Sequence, residues 1–516
     1  MHPILRSSRS SSCLPLALAC TIAGFGVAHG NSSADRKSIS SYVSCNGTSD
    51  DTAGATKAFA AAKNSAFTLV VDCPVRLHSG VAVDRGIFID NGTSVEFTGK
   101  GKFIVDNVFH PAFVIANSNN INLTNWDVVW DGVVPINGSA GGYEINGKSV
   151  TAGAGTKTQP AGAFNDLVLT SWLAANRSIN FDNGQGWIKS IWVGGVNPAA
   201  VFFITGDASN IVFKGLRLSV PPAAGGDHFL PMAVSFSPNW KSNQAVNGKT
   251  PRSAQYVAIP HKLWFSDVYF DGTLMGWQGN VRDATFDNVQ SHRYGDLQDA
   301  NGGNSGGIGK WFPPPHLFYL NYNSDGDPEL FNSNIHISNV IDSGPRVGVA
   351  RDKGGADGMS GYASSLKLGC TKCSVDRYST TRPDGFMDVL PSDGLTISNV
   401  TATYDSAFLN NVFPAGIRFP AKGYSNITFE NVILKDTADS PVKESIGNAP
   451  FATNNGITFK GVQVVLNRWA TPQLPVPTIA GNNNDVTINF TLPAQQKKAT
   501  YRLQGNGRWS SPSLSP

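Results

Sequence analysis

The sequence predicts an all-β protein, a single-stranded right-handed parallel β-helix with a short N-terminal capping helix. Three observations lead to this fold class. The composition suits strands and turns rather than helices, one short apolar pattern recurs at a nearly constant step, and the extra residues are gathered into a few long insertions.

The composition disfavours helices. Among 516 residues, 54 are Gly and 30 are Pro, 15% are charged, and Asp outnumbers Glu by 32 to 5. Asp, Asn and Gly favour turns, whereas Glu favours helices. Lys and Arg total 40 against 37 Asp and Glu, so no large excess of charge favours nucleic acid or an acidic membrane surface as a partner.

Residues 1–30 have the features of a signal peptide. Two arginines precede an apolar stretch from Leu14 to Ala28, and Ala28-His29-Gly30 has the small-x-small form that signal peptidase accepts. We therefore expect a secreted protein, extracellular or periplasmic. A lipoprotein anchored at Cys20 is the alternative, although its apolar core would be short. No later segment is apolar over the roughly 18 residues that a membrane span needs.

Four cysteines remain once residues 1–30 are removed. An even number of cysteines in an exported chain favours disulfides. We predict that Cys45 pairs with Cys73, and that Cys370 pairs with Cys373. A zinc site at Cys370-Thr371-Lys372-Cys373 would need a second Cys or His pair, and none lies close in the sequence.

The β-helix itself is expected over residues 31–495. It begins with Asp50-Asp51-Thr52-Ala53 and an alanine-rich stretch to Lys63, a pattern typical of a capped helix N-terminus. Residues 496–516 are polar and indicate a C-terminal tail.

A repeated pattern is the most specific signal in the sequence. A turn residue is followed by alternating apolar residues, then Asn or Gly, then Val. Clear copies have their first apolar residue at Ile335, Leu395, Ile427 and Ile457, and weaker copies begin at Leu366 and Val486. The steps between successive copies are 31, 29, 32, 30 and 29 residues.

The content of each copy decides the architecture. Each copy holds three short strand-like stretches and no helical pattern, which excludes helical repeats, and about 30 residues are too few for a propeller blade. One coil of a parallel β-helix fits. The recurring Asn or Gly is then expected at a tight corner with positive φ, where stacked Asn side chains form a ladder.

Long insertions interrupt the earlier copies, at residues 133–165, 219–260 and 293–331. A solenoid places extra residues in loops on its surface. We therefore expect the insertions to surround a groove near the middle of the β-helix.

The segment from Gly47 to Ala53, the helix after it, the segment from Thr68 to Pro74 and the coils resemble the pectin lyase-like right-handed β-helix superfamily. Its members include polygalacturonase-type glycoside hydrolases, polysaccharide lyases, mannuronan epimerases and phage tailspikes. The resemblance implies the fold and suggests a polysaccharide partner. It implies no catalytic residue, because the polygalacturonase and pectin methylesterase motifs are missing.

Candidate catalytic residues follow from the stacking of coils. Strands of neighbouring coils lie about 4.8 Å apart, so residues at the same distance from the start of each coil form a row. The eighth residue after the first apolar position is Asp271 in one coil and His292 in the next. Asp296 and Asp299 follow His292. Carboxylates from neighbouring or next-nearest coils would lie about 5 or 9.6 Å apart, which approximates the spacing in retaining or inverting glycosidases. The sequence therefore predicts a glycoside hydrolase that uses paired Asp among Asp271, Asp296 and Asp299.

His292 and Arg293 favour a second chemistry, β-elimination from a glycan that contains uronic acid. A polysaccharide lyase of this kind needs a base and a cation that neutralises the uronate, which Arg346 or a calcium ion held by Asp would supply. Apart from that calcium, no cofactor or metal site is expected. A third possibility is a non-catalytic carbohydrate-binding protein or adhesin, which the same fold would serve.

The expected substrate-binding residues surround the insertions. Aromatic faces stack on sugar rings, and cations and hydroxyls bind polar groups of the sugar. The candidates are Arg293, Tyr294, Arg346, Trp240, Trp277 and Trp311.

Overall fold

The computed structural model describes residues 35–77, 86–105, 111–131, 142–145, 148–151, 166–179, 200–220, 232–240, 256–273, 275–292, 316–320, 332–344, 364–381, 385–405, 416–419, 424–438, 446–447, 449–467, 479–503, 510 and 513–515. The expected signal peptide lies outside these residues. So do six of the candidate site residues: Arg293, Tyr294, Asp296, Asp299, Trp311 and Arg346.

The described part is built mainly of short strands. The helices are α1 (Thr52–Ala62) and α2 (Asp166–Arg177), with 3-10 turns at Ile39–Ser41 and Pro493–Gln495. The strands of the first half are β1 (Arg36–Ser38), β2 (Thr68–Val71), β3 (Pro74–Leu77), β4 (Ile87–Phe88), β5 (Ser94–Phe97), β6 (Lys102–Val105), β7 (Phe113–Ala116), β8 (Asn119–Thr124), β9 (Asp127–Trp130), β10 (Gly142–Ile145), β11 (Lys148–Thr151), β12 (Ala200–Thr205), β13 (Ser209–Lys214), β14 (Arg217–Ser219), β15 (Met232–Ser237), β16 (Asn239–Trp240) and β17 (Tyr256–Ala258).

The strands of the second half are longer because two stretches of each coil run together. They are β18 (His261–Asp271), β19 (Met275–Gly279), β20 (Arg282–His292), β21 (Phe318–Leu320), β22 (Ser333–Ser343), β23 (Ser364–Leu368), β24 (Thr371–Thr380), β25 (Gly385–Val389), β26 (Ser392–Tyr404), β27 (Ile417–Arg418), β28 (Tyr424–Asp436), β29 (Ile446–Gly447), β30 (Ala449–Leu466), β31 (Ile479–Asn482), β32 (Asp485–Leu492), β33 (Lys497–Arg502) and β34 (Ser513–Ser515).

Two sheets run the length of the stack, and their strands are parallel except for β33 and β34 in sheet 2. Sheet 1 has ten strands in the order β4, β7, β12, β15, β19, β21, β23, β25, β27 and β29, and sheet 2 has twenty strands. Along the chain, a strand of sheet 1 is followed by one long or two short strands of sheet 2, and each strand pairs in parallel with its counterpart in the next coil. This is the arrangement of a parallel β-helix, and the predicted fold class is confirmed.

Residues with positive φ form the bends within the long strands of sheet 2. Asn288, Asn339 and Asn399 have φ of 51°, 54° and 54°. The Asn339 side chain donates to Asp287 Oδ1 at 2.6 Å, and the Asn399 side chain donates to Asp376 Oδ1 at 2.7 Å. The recurring Asn of the repeat therefore marks this corner, because Asn tolerates the left-handed conformation and its amide bonds to the coil before it.

The repeat is less even than its sequence pattern indicated. The register of β22, β24 and β26 aligns Ile335 with Cys373 and then with Leu395. The steps are therefore 38 residues from Ile335 to Cys373 and 22 from Cys373 to Leu395. Leu366, which was counted as a weaker copy, lies in sheet 1 instead. Leu366 and Leu368 alternate with polar residues as the apolar residues of a sheet 2 strand do. Periodicity therefore could not distinguish this sheet 1 strand from a strand of sheet 2.

Apolar side chains fill the interior of the coils. Phe213, Phe265 and Phe286 occupy one row and stack with ring centroids 4.6 and 5.2 Å apart. At the N-terminal end, Phe59 of α1 contacts this interior through Phe103 and Trp126. The predicted capping helix thus covers the first coil and shields apolar side chains from water.

The N-terminus of α1 is held by both predicted acidic residues. Asp50 Oδ1 accepts from the backbone N–H of Thr52 at 3.0 Å, which satisfies a free donor of the first turn. Asp51 accepts from the backbone and hydroxyl of Ser44, both at 2.8 Å, and so joins the helix to the chain before it.

The four cysteines divide into two kinds. A disulfide joins Cys45 and Cys73, as the sequence predicted. The predicted Cys370–Cys373 pairing is wrong, because both are buried free thiols. Cys373 points into the core row between Ile335 and Leu395, where its sulfur accepts from the Ile335 N–H at 3.4 Å. Burial raises the pKa of the Cys370 thiol well above its usual value.

The C-terminal segment 496–516, expected as a polar tail, contributes strands to sheet 2. β33 pairs antiparallel with β32, and β34 pairs antiparallel with β33. Helix α2, which the sequence pattern did not indicate, lies between two of the undescribed stretches. None of the helices in the described ranges has the length and apolar character of a membrane span.

Candidate functional site

Asp271 and His292 lie in one row, as predicted from their equal distance from the first apolar residue of each coil. Asp271 ends β18 and is in register with His292, which ends β20, and His292 is in register with Ser343 at the end of β22. All three residues are partly exposed. Ser343 Oγ lies 3.5 Å from His292 Nδ1 and donates to the Ser291 carbonyl at 3.0 Å. We call these three residues the end row.

The end row supplies one carboxylate within the described residues. The other register partner of Asp271 is Ser219, which has no carboxylate. Asp342 precedes Ser343 and therefore points inward, where it is fully buried and accepts from Ser365 Oγ at 2.5 Å. An acidic partner for Asp271 must come from outside this row, and Asp296 and Asp299 lie outside the described residues.

Trp277 is not a surface residue, and the prediction that it binds sugar is wrong. It is fully buried in the core of sheet 1, where its ring stacks on Phe318 with centroids 4.7 Å apart. The reason is strand alternation, because Trp277 occupies the inward position of β19 and its neighbour Gln278 occupies the outward one. Trp240 lies in β16, and its side chain is not among the described groups.

A second row, on the outer face of sheet 1, was missed by sequence reasoning. From β4 to β27, each strand of this sheet carries an apolar inward residue followed by an outward residue, as in Trp277-Gln278 and Phe318-Tyr319. Alignment of these dipeptides would have found the row, but strands buried on both faces lack the alternation used to recognise them. Its members in register are Phe88, Val114, Phe203, Ser235, Gln278, Tyr319, Lys367, Asp388, Arg418 and Gly447. We call it the outer row.

The outer row is apolar at its N-terminal end. Val114 and Phe203 are buried in a cluster with Leu173 and Ile179, which belong to α2 and to the residues just after it. Trp172 of α2 packs on Phe88 with ring centroids 4.8 Å apart. Helix α2 thus covers β4, β7 and β12.

The middle of the outer row is polar. Lys367 Nζ lies 4.6 Å from the centre of the Tyr319 ring and donates to its hydroxyl at 3.5 Å. Both residues are partly exposed. His316 flanks the ring of Tyr319 at 5.1 Å and is fixed by the Ser364 carbonyl, 2.7 Å from its Nδ1. Within the described part of the chain, the Lys367 ammonium has no carboxylate partner.

Gln278 lies one coil before Tyr319 and is 3% exposed. Among the described residues, its Oε1 atom has no hydrogen-bond partner. A buried acceptor without a donor costs about 1–3 kcal/mol.

The outer row ends in a buried ion pair. Arg418 donates to both carboxylate oxygens of Asp388, at 2.8 and 2.5 Å, and each side chain is 5% exposed. The paired charges neutralise each other. Among the described members of the row, Lys367 is therefore the cation that is not held in an ion pair.

No protein-family model and no curated protein matches the chain. Several solved structures are similar to it. They include PfbA, a surface adhesin of Streptococcus pneumoniae, with a TM-score of 0.41 and 10% identity over 92% of this chain and 98% of that one. A Family 28 exopolygalacturonase of Yersinia enterocolitica has a TM-score of 0.38 and 10% identity over 88% and 78%. A tailspike of an Acinetobacter phage has a TM-score of 0.33 and 10% identity over 91% and 64%.

These similarities agree with the resemblance to pectin lyase-like β-helix proteins. They include an adhesin as well as an enzyme, so they indicate no single activity.

Proposed function

We propose that the protein is a secreted enzyme that degrades a polysaccharide, most simply a glycoside hydrolase whose substrate lies on the outer row. The observation that carries the proposal is the pair of partly exposed residues Tyr319 and Lys367 on consecutive strands of sheet 1. The pair offers a phenol hydroxyl and an ammonium, which suit sugar hydroxyls and an acidic sugar.

Asp271 is the described carboxylate best placed to act on that substrate. It ends β18, and the short turn after it leads to β19, the strand that carries Gln278. The Gly272 N–H at the start of this turn donates to the His292 carbonyl at 2.8 Å, so the turn is fixed to the next coil. The Asp271 carboxylate therefore lies near the edge at which sheet 2 passes into sheet 1.

Hydrolysis needs two carboxyl groups. One protonates the glycosidic oxygen, and the other attacks the anomeric carbon or removes a proton from the attacking water. We assign Asp271 to one role and Asp296 or Asp299 to the other, because the insertion that holds them follows His292 directly.

A lyase is the second candidate, and Lys367 is the observation that favours it. The Lys367 ammonium, which has no carboxylate partner among the described residues, would neutralise a uronate, and His292 would accept the proton that β-elimination removes. Both enzymes would use the same binding residues but would form different products.

A screen of plant, algal and bacterial polysaccharides separates the three hypotheses. A hydrolase creates reducing ends without ultraviolet absorbance, a lyase creates unsaturated ends that absorb, and an adhesin binds but creates neither. The variant Lys367→Met should lower activity on acidic polysaccharide, and Lys214→Met, at an exposed lysine of β13, is the matched control. Full activity of Lys367→Met would contradict the proposed binding site.

A further inference from the structure

We infer that the protein carries a second hydrolytic site, in which Ser374 and His336 remove acyl groups from the hydroxyls of an O-acylated sugar chain. Both residues lie on the outward face of sheet 2, ahead of the bends in β22 and β24. The inference goes beyond the proposed function, because it concerns a different sheet, a different bond and a different set of residues.

Four side chains form a continuous chain of hydrogen bonds across this face. Ser374 Oγ lies 2.8 Å from His336 Nδ1, and His336 Nε2 lies 3.0 Å from Asn334 Oδ1. The Asn334 Nδ2 atom in turn donates to Asp283 Oδ1 at 2.8 Å. The four residues come from the consecutive strands β20, β22 and β24, whose pairing holds them together. A hydroxyl, an imidazole and a group that orients the imidazole are the components of nucleophilic hydrolysis by serine.

The acidic end of this chain determines where each proton lies. The Asp283 carboxylate accepts but does not donate, so the amide nitrogen of Asn334 faces it and the amide oxygen faces His336. The His336 ring therefore carries its proton on Nε2, and its Nδ1 atom is an acceptor. The Ser374 hydroxyl must then donate to Nδ1. In this arrangement an imidazole can take the proton of a serine hydroxyl while the serine oxygen attacks a carbonyl carbon.

The reacting groups are accessible to a ligand. His336 is exposed and Ser374 is partly exposed. Among the described residues, Ser374 Oγ has no hydrogen-bond partner besides His336, so its lone pairs are not engaged by the protein. Thr396 is in register with Ser374 on the next strand, about 4.8 Å along the row, and its side chain is exposed. Its hydroxyl can donate to the carbonyl oxygen as negative charge develops there.

An exposed tryptophan in the same row indicates the kind of ester. Trp264 is 48% exposed and is one of two large apolar side chains that are exposed among the described residues. The register runs from Trp264 through Thr285 and His336 to Ser374, so Trp264 lies three strand spacings, about 14 Å, from the hydroxyl. Because aromatic faces stack on sugar rings, a sugar chain along this row can place one ring on Trp264 and an acylated ring at Ser374.

The reaction takes two steps. In the first, Ser374 Oγ attacks the acyl carbon and its proton passes to His336. The bond between the acyl carbon and the sugar oxygen breaks, and that oxygen takes the proton from His336. In the second, water attacks the acyl-serine and gives a proton to His336, which returns it to Ser374 as the ester bond breaks. The net reaction consumes one water and yields a sugar hydroxyl and a carboxylic acid.

Release of acetate from two probes tests the site in the full-length protein. The probes are p-nitrophenyl acetate and a soluble cellulose acetate of low substitution. We expect acetate from both, with Ser374→Ala reduced to background and His336→Gln slowed by roughly 10²–10⁴-fold at unchanged Tm. Thr458→Ala, at a partly exposed threonine of the same row, is the matched control and should retain the wild-type rate. Release that is equally fast in Ser374→Ala would overturn the inference.

A fluorophosphonate reagent gives a measurement that does not depend on a variant or on the acyl group. It should form a covalent bond to Ser374 Oγ with loss of fluoride, and peptide mass spectrometry should locate the label. His336→Gln should slow the labelling, because the hydroxyl then loses its base. Wild-type protein without a label on Ser374 would overturn the site.

Trp264→Ala tests the assignment of a sugar chain as substrate. It should raise KM for cellulose acetate and leave KM for p-nitrophenyl acetate unchanged, because the small ester does not reach Trp264. Equal KM values for cellulose acetate in the variant and the wild type would overturn that assignment. Asp271→Asn should release acetate at the wild-type rate, and Ser374→Ala should cleave sugar chains at the wild-type rate. Failure of this inference and failure of the proposed function are therefore measured separately.

Discussion

Asp271 and His292 occupy the same register position on neighbouring coils, at the ends of β18 and β20. Parallel strands of adjacent coils lie about 4.8 Å apart, so a carboxylate and an imidazole from residues 21 positions apart in sequence become neighbours on the surface. Each is followed by the chain segment that leads into sheet 1. At Asp271, the end row therefore lies where β18 of sheet 2 leads into β19 of sheet 1.

Asp271→Asn should abolish catalysis without affecting the fold. Amide replaces carboxylate at similar volume, so the change removes the acid or base function, which contributes roughly 10²–10⁴-fold to the rate. The measurement is kcat on the best substrate of the screen, with Tm as the test of folding. Asp485→Asn changes an exposed carboxylate of β32 and is the control. Wild-type kcat in the Asp271 variant would remove Asp271 from the proposed mechanism.

Lys367→Met should raise KM for an acidic polysaccharide more than it lowers kcat. A hydrogen bond to a charged group contributes about 1.5–3 kcal/mol, equivalent to a loss in binding of about 10- to 140-fold. The wild-type KM should also rise with salt, since a partly exposed charge is screened. A neutral polysaccharide should show neither effect, and equal effects on acidic and neutral substrates would contradict recognition by charge.

Arg418→Ala should destabilise the protein strongly. It would leave the buried Asp388 carboxylate without its partner, and breaking a buried ion pair typically costs about 3–5 kcal/mol. The measurement is the free energy of unfolding in urea. The double variant Asp388→Leu with Arg418→Met should be markedly more stable than Arg418→Ala, because no unpaired charge remains. A double variant as unstable as the single one would show that packing, rather than charge, dominates there.

Asp376 should contribute to stability at neutral pH and lose that contribution in acid. Burial opposes its ionisation, but hydrogen bonds from Ser398 and Asn399 and the charge of Arg377 outweigh burial and hold its pKa below the usual value. The stability gained is complete above the unfolded pKa of about 3.9 and is lost as pH falls through the lower folded pKa.

The urea midpoints of the wild type and Asp376→Asn test this contribution. The variant should be less stable at pH 7, and the difference should narrow below about pH 4, where the carboxylate becomes protonated. A difference that stays constant across this range would show that ionisation of Asp376 does not contribute. The exposed Asp485→Asn should show little difference at either pH.

Cys370 and Cys373 should react with an alkylating reagent after unfolding without reductant, and resist it in the folded protein. The buried thiols are inaccessible and their thiolates are disfavoured, since burial raises the pKa of Cys370. Mass spectrometry of protein that lacks residues 1–30, and so lacks Cys13 and Cys20, should show two added groups, one on Cys370 and one on Cys373, while Cys45 and Cys73 stay linked. Unfolded protein in which neither Cys370 nor Cys373 reacts would restore the disulfide that the sequence suggested.

The fold was predictable because its signals are local. Alternating apolar residues indicate a strand, and the Asn that follows them, as at Asn339 and Asn399, indicates its bend. The alignment of Asp271 with His292 could also be predicted from the sequence. Each residue is the eighth after a clear apolar residue that begins its coil, Leu263 in one coil and Ala284 in the next.

The outer row could not be predicted in the same way. Sheet 1 strands such as β19 and β25 are buried on both faces, so their sequences lack polar alternation, and Gln278 or Asp388 resembles an ordinary loop residue. The role of α2 depends on contacts between residues far apart in the chain, such as Trp172 with Phe88. Periodicity carries no information about such contacts.

Between Ile335 and Leu395, a coil of 38 residues is followed by a coil of 22 residues. The strands β22, β24 and β26 nevertheless pair in register. Backbone pairing therefore sets the vertical spacing of the scaffold, whatever the length of the connections. We expect that the connections between strands can be shortened, lengthened or exchanged while the parallel strand pairing is preserved. Specificity and stability are thus separable targets for engineering in this architecture.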